Sequence, residues 1–162
     1  MKKYLKLFSL LFIVLLVGAG CSLTAKEKTY SVNGINVTMK DGFYEKELVS
    51  LTAYLESSDS IFTALKEEKA TLKEAGLENI TLKEYAEAVV EANGLKEKDI
   101  IEKDGLTYFT YEKEVSGKTY FYLASVYQTN DAFWLVNFAC DTKNKDSFQE
   151  DFIKWAKTVN FS

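Results

Sequence analysis

The side chains able to do chemistry are few in kind. The 162-residue chain carries 24 acidic residues, 20 basic residues that are all lysine, no histidine, and two cysteines, Cys21 and Cys140. Without histidine the commonest general base and metal ligand is missing. Without arginine there is no bidentate reader of phosphate or guanine. Cys140 could act as a nucleophile only beside a base that takes its proton. On its apolar run it reads instead as a small core residue. The hydrolytic chemistry left is a pair of carboxylates across a glycosidic bond, which requires two acids facing one cleft. Asp141, Asn144 and Asp146 superficially suggest a cation loop. Their spacing departs from that of a Ca²⁺ loop, and Lys143 and Lys145 sit among them, so helix capping is the expected role. There is no phosphate loop, no Cys-x-x-Cys, no His-Glu-x-x-His and no serine nucleophile elbow. The expectation is a protein with no catalytic residue, no metal and no cofactor.

The front of the chain says where the protein goes. Lys2, Lys3 and Lys6 precede an apolar run over residues 7–17, too short to span a bilayer well. It ends in Val17-Gly18-Ala19-Gly20-Cys21. Small residues directly before a cysteine resemble the lipobox of bacterial lipoproteins, in which the cysteine is acylated and becomes the new N-terminus. Gly18 stands where leucine is usual. This resemblance implies a signal peptide over residues 1–20, lipid attachment at Cys21, and anchoring on the extracytoplasmic face of the cell membrane. A diacylglyceryl group supplies the two chains that stable anchoring needs. The alternative is an ordinary secretory peptide, in which case a Cys21–Cys140 disulfide becomes possible. Residues 21–28 are polar and read as a tether. The formal charge of −4 becomes −7 once Lys2, Lys3 and Lys6 are removed. Such an acidic domain is a poor partner for nucleic acid.

The remainder, residues 29–162, has the length of one domain. Its centre is the stretch 106–140. Three runs rich in β-branched and aromatic residues, separated by Ser116-Gly117 and Asn130-Asp131, predict an antiparallel meander. Alternation places Tyr120, Tyr122, Ala124 and Val126 on one face and Phe121, Leu123, Ser125 and Tyr127 on the other. Phe133, Leu135, Asn137 and Ala139 likewise oppose Trp134, Val136, Phe138 and Cys140. Neither face is polar, so both need cover. Ahead of the meander, Asn33-Gly34 between two alternating runs predicts a hairpin. Residues 43–49 read as irregular, 51–55 as a strand, 60–66 as a strand and then a short helical turn ending at Gly76. Thr81-Leu-Lys-Glu84 is a capping box, opening a helix whose apolar stripe is Leu82, Tyr85, Ala86 and Val89. Its acidic face, with Glu84, Glu87 and Glu91, reads as a solvated surface. Residues 100–103 form a short strand. A last helix runs from 144 or 145 to 158, with Phe148, Phe152 and Trp155 on its stripe.

This order of parts resembles the PsbP-like class of small bacterial proteins, whose fold is shared with a photosystem II extrinsic subunit and a nuclear Ran-binding import factor. The resemblance rests on the Asn-Gly hairpin, the helix start at Thr81, Leu82, Glu84 and Tyr85, the strand 131–140, and Phe152-x-Lys-Trp-Ala-Lys157. It implies an α+β fold, an antiparallel sheet flanked by helices on both faces in an α-β-α sandwich. It brings no photosystem-binding or Ran-binding residue with it. The functional expectation is a membrane-anchored, non-catalytic interaction module with a protein partner. The alternative is a small-molecule or glycan binder using meander aromatics such as Tyr108, Tyr111, Tyr120, Tyr122, Tyr127 and Trp134. A fully buried set of aromatics would speak for core packing alone.

Overall fold

The computed structural model describes residues 26–77, 79–96 and 99–162. The expected signal peptide, Cys21 and most of the expected tether lie outside the described residues. Two sheets are present. The hairpin of β1 (Glu27–Val32) and β2 (Ile35–Lys40) turns on Asn33 and Gly34, both at positive φ, 46° and 87°. That conformation is what an Asn-Gly two-residue turn supplies at least strain. The short β10 (Asn160–Phe161) adds to β2 and makes this sheet three-stranded.

The second sheet has seven antiparallel strands. They are β3 (Tyr44–Glu45), β4 (Ala53–Glu56), β5 (Ser60–Glu68), β6 (Ile101–Lys103), β7 (Leu106–Val115), β8 (Lys118–Gln128) and β9 (Ala132–Asp141). Their spatial order is β3-β4-β5-β9-β8-β7-β6. The meander β7-β8-β9 forms as the sequence predicts, with Tyr122 opposite both Tyr111 and Ala139. Three differences from expectation stand out. Tyr44 and Glu45 pair with Glu56 and Leu55, so part of the stretch expected to be irregular is an edge strand. β5 runs two residues further than expected, because Glu67 and Glu68 pair with Phe133 and Ala132. The first hairpin does not extend the main sheet but packs across it.

Helices lie on both sides, which gives the α-β-α sandwich. α3 (Lys145–Ala156) and the three-stranded sheet cover one face. Phe148, Phe152 and Trp155 there meet Phe62, Phe121, Phe138 and Trp134 of the main sheet, together with Ile35, Val37 and Met39 of the hairpin. α1 (Lys69–Lys73) and α2 (Leu82–Ala92) lie on the other face. Leu72, Tyr85, Ala86 and Val89 pack on Phe109, Ala124, Val126, Phe133 and Leu135. The fold is therefore α+β, with a seven-stranded antiparallel sheet between helical layers.

The capping box at α2 is complete. Glu84 N–H donates to Thr81 Oγ1 at 3.2 Å, and Thr81 N–H donates to Glu84 Oε2 at 2.7 Å. Thr81→Ala removes one acceptor for an orphan helix donor, and is expected to cost about 1 kcal/mol in denaturant unfolding. An unchanged midpoint would show that the tertiary contacts of Tyr85 hold the helix without its cap.

Candidate functional site

The face that carries α2 is only half covered by helix. Along this face the registers define successive rows. Tyr54, Thr63, Asn137, Ala124 and Phe109 form one, and Glu56, Ile61, Ala139, Tyr122 and Tyr111 the next. A third row holds Asp141, Tyr120 and Lys113. α2 packs on Phe109 and Ala124 but does not extend over the β4 side. Tyr54, Ile61, Val115, Tyr120, Tyr122 and Ala139 form a separate cluster to which neither α1, α2 nor α3 contributes a residue. The described apolar side chains packed against it are Leu51, from the loop between β3 and β4, and Tyr111. The members are nevertheless only 2–9 % exposed.

Stacking and hydrogen bonds order this half-face. The rings of Tyr111 and Tyr122 lie 4.7 Å apart and 2° from parallel. Burial, with Tyr120 nearby, pushes the Tyr122 hydroxyl up to about 12. The Tyr54 hydroxyl donates to Glu56 Oε2 at 2.9 Å, and Lys46 Nζ reaches the same oxygen at 2.5 Å. Burial first, and then this carboxylate, raise Tyr54 still further. These phenols stay protonated at physiological pH and act as apolar plates with a donor at one end. The floor includes a polar group left over: Thr63 is 1 % exposed and its Oγ1 has no hydrogen-bond partner. A buried hydroxyl without a partner costs about 1–3 kcal/mol.

The opposite end of the face is closed by a buried carboxyl group that the sequence gives no reason to single out. Glu67 lies on the α2 side of β5, opposite Phe133. The Tyr85 hydroxyl donates to Glu67 Oε2, and the Tyr85 ring stacks on Phe133 at 4.8 Å. Lys69 Nζ sits 5.5 Å from the centre of the Phe133 ring. Burial raises the Glu67 carboxyl from 4.5 to about 7, against the lowering effect of the Tyr85 hydrogen bond. The folded protein therefore holds this proton more tightly than the unfolded chain does. Stability is greatest below pH 4.5 on account of this group, and falls as pH rises from there to about 7. Glu67→Gln is expected to abolish that fall, a difference on the order of 3 kcal/mol between the ends of the window. Parallel pH–stability curves for both proteins would contradict the assignment.

The other residues marked in the sequence take structural places. Cys140 on β9 is buried within the α3-side core, and burial pushes its thiol up to about 12. Asp141 Oδ1 accepts from Lys143 N–H at 3.1 Å and caps the short 3-10 turn Thr142–Asn144. Asn144 precedes α3 but makes no side-chain cap. Among the described residues no group of three acidic or cysteine side chains is placed to hold a metal ion. Cys21 lies outside the described residues. The meander aromatics divide. Phe109 and Phe133 pack under α2, and Tyr108, Phe121, Trp134 and Phe138 under α3 and the hairpin. Tyr120 and Tyr122 belong to the cluster without a helix, where Tyr111 packs against them.

The architecture has counterparts among solved structures. Cyanobacterial PsbP (CyanoP) from Synechocystis sp. PCC 6803 matches with a TM-score of 0.53 and 14 % identity, over 91 % of this chain and 99 % of that one. The Ran-binding protein Mog1p of Saccharomyces cerevisiae matches with a TM-score of 0.54 and 11 % identity, over 85 % and 96 %. A Bacteroides thetaiotaomicron protein matches with a TM-score of 0.53 and 9 % identity over 86 % of this chain, which spans 49 % of it. The sequence matches no protein-family model and no curated protein. The class defined is thus the PsbP/Mog1-like fold. At these identities the likeness is one of fold.

Proposed function

We propose that this chain is a non-catalytic interaction module, held on the extracytoplasmic face of the cell membrane by lipid on Cys21, that binds a protein partner. The observation carrying this reading is the margin of the helix-free half-face, where Tyr111 stays half-buried and stacks on Tyr122 beside the closed cluster of Tyr54, Ile61, Tyr120 and Ala139. The lipobox at Val17–Cys21 supports the anchoring. The Ran-binding Mog1p shows that a domain of this fold can serve as a protein ligand.

In-cell photocrosslinking tests the reading. A photoreactive phenylalanine at Tyr111, half-buried at the margin of the cluster, is compared with one at Glu87 on the solvated face of α2. Position 111 is expected to yield a discrete protein adduct that position 87 does not. The same adducts from both positions, or none from 111 in protein that reaches the membrane, contradict a partner at this face.

A second reading rests on the stacked Tyr111–Tyr122 pair and the unpaired hydroxyl of Thr63. A stacked aromatic pair on the same sheet face as an unused hydroxyl, two strands away on β5, suits the face of a sugar ring or another small ligand. Thr63→Val separates the two readings. It removes the hydroxyl while keeping the shape, so it would weaken a small ligand and leave a protein adduct at position 111 intact.

A further inference from the structure

Four large apolar side chains are exposed among the described residues, and three of them fall within six positions: Tyr44 at 72 %, Leu48 at 40 % and Val49 at 107 %. Tyr44 lies on β3 itself, and Leu48 and Val49 on the connection from β3 to β4, which is not loose chain. Lys46 N–H donates to Tyr54 O at 2.9 Å, Leu51 N–H to Leu48 O at 2.9 Å, and Thr52 N–H to Ala64 O at 2.8 Å. Phe43 anchors its start, buried edge-on against Tyr30 and Trp155. Leu51 anchors its end on the aromatic cluster. With both ends turned inward, Leu48 and Val49 are held outward at the apex of a hydrogen-bonded turn.

The same edge is where the chain leaves toward its N-terminus. The Lys26 carbonyl accepts from Asp41 N–H at 2.7 Å, three residues before Tyr44. Lys26 lies five residue steps from Cys21, a reach of about 17 Å when extended. A lipid at Cys21 therefore keeps this loop within a few residues' length of the bilayer, at high effective concentration. With Glu45 on β3 and Glu47 in the loop flanking Lys46, which pairs with Glu56, and a net negative chain, the segment has no surplus positive charge to offer an anionic surface. What the loop offers is apolar side chains and a tyrosine, which suit the headgroup–acyl boundary.

We infer that β3 and the β3–β4 loop, through Tyr44, Leu48 and Val49, form a membrane-docking element that enters the outer surface of the lipid bilayer and sets the orientation of the anchored domain. The inference rests on the anchoring at Cys21 proposed above. The loop lies beside the aromatic half-face, so docking fixes how that face is presented.

The test places an environment-sensitive fluorophore at Val49→Cys, and in a second protein at Glu102→Cys on β6, the opposite edge of the sheet. Cys140 is buried and Cys21 is acylated, so neither competes for label. The full-length lipoprotein, processed in cells, is examined in native membranes and in vesicles of phosphatidylethanolamine and phosphatidylglycerol with brominated acyl chains. The label at 49 is expected to shift to the blue and to lose intensity to the brominated lipid, and the label at 102 to do neither. An acylated, membrane-bound protein whose label at 49 is as water-like as that at 102 overturns the docking element and leaves the anchor standing. A blue shift in native membranes but not in pure lipid vesicles also overturns it, since a protein then covers the loop. Failure of acylation, with the protein soluble and the label at 49 water-like, overturns the anchor and the docking element together.

Discussion

Cys21→Ala is expected to move the protein from the membrane fraction to the medium or to leave it as an unprocessed precursor, in either case with no incorporation of labelled fatty acid. The size of the effect follows from the source of the affinity. Two acyl chains each contribute about 0.8 kcal/mol per buried methylene, far above anything the acidic domain could gain from the surface itself. The loop residues Tyr44, Leu48 and Val49 could add a shallow contact but could not replace the anchor. Fractionation of wild type and variant, with metabolic labelling, reads the outcome directly. Equal fractionation, with neither protein labelled, would show that Cys21 is not a lipid site.

The second large effect belongs to the core. Phe152→Ala is expected to destabilise the domain by about 3–5 kcal/mol, a large share of the 5–15 kcal/mol typical of a domain. Phe152 is completely buried and is the hub of the α3 layer. Its ring lies 5.6 Å from Phe138, 5.3 Å from Phe148, 5.6 Å from Trp155 and 6.2 Å from Phe121. Truncation leaves a cavity between α3 and the sheet that surrounding rings on two rigid elements cannot close. The Tyr111–Tyr122 side should lose far less. Tyr111→Leu, at the half-buried margin on the other face, removes the stack on Tyr122 and is expected to cost about 0.5–1.5 kcal/mol for that pair. Denaturant midpoints for the two variants give the comparison. A small loss for Phe152→Ala would mean that α3 is not what closes that face.

The sequence made the meander, both long helices and the α+β class legible, because each rests on a local signal. Alternating aromatics, the Thr81–Glu84 box and the Asn33-Gly34 turn all act over a few residues. It did not reveal that the first hairpin builds a separate sheet. That depends on β10, whose two residues, Asn160 and Phe161, are too few to show a period, and on pairing across about 120 positions. It also could not show how far each helix extends over the sheet. From the pattern alone, α2 and α3 offered cover for one face each. In three dimensions α2 spans eleven residues and stops short of the β4 side. The Tyr85–Glu67 contact was equally hidden, since 18 positions separate a helix residue from a glutamate in a run that reads as half strand and half helix. Among the site residues, the tyrosines were visible as a class, but which of them lack a helix above them was not.

Side-chain accessibility in the processed protein is the sharpest test of a sheet face reserved for a partner. Tyrosine nitration mapped by mass spectrometry would be carried out on the purified mature lipoprotein and on intact cells, with the fully buried Tyr85 as internal reference. The account predicts that Tyr111, half-buried at the margin of the cluster, is modified in the purified protein and shielded in cells, and that the buried Tyr54, Tyr122 and Tyr85 stay unmodified in both. Equal modification of Tyr111 in purified protein and cells would mean that nothing covers this margin, and the interaction reading would fall.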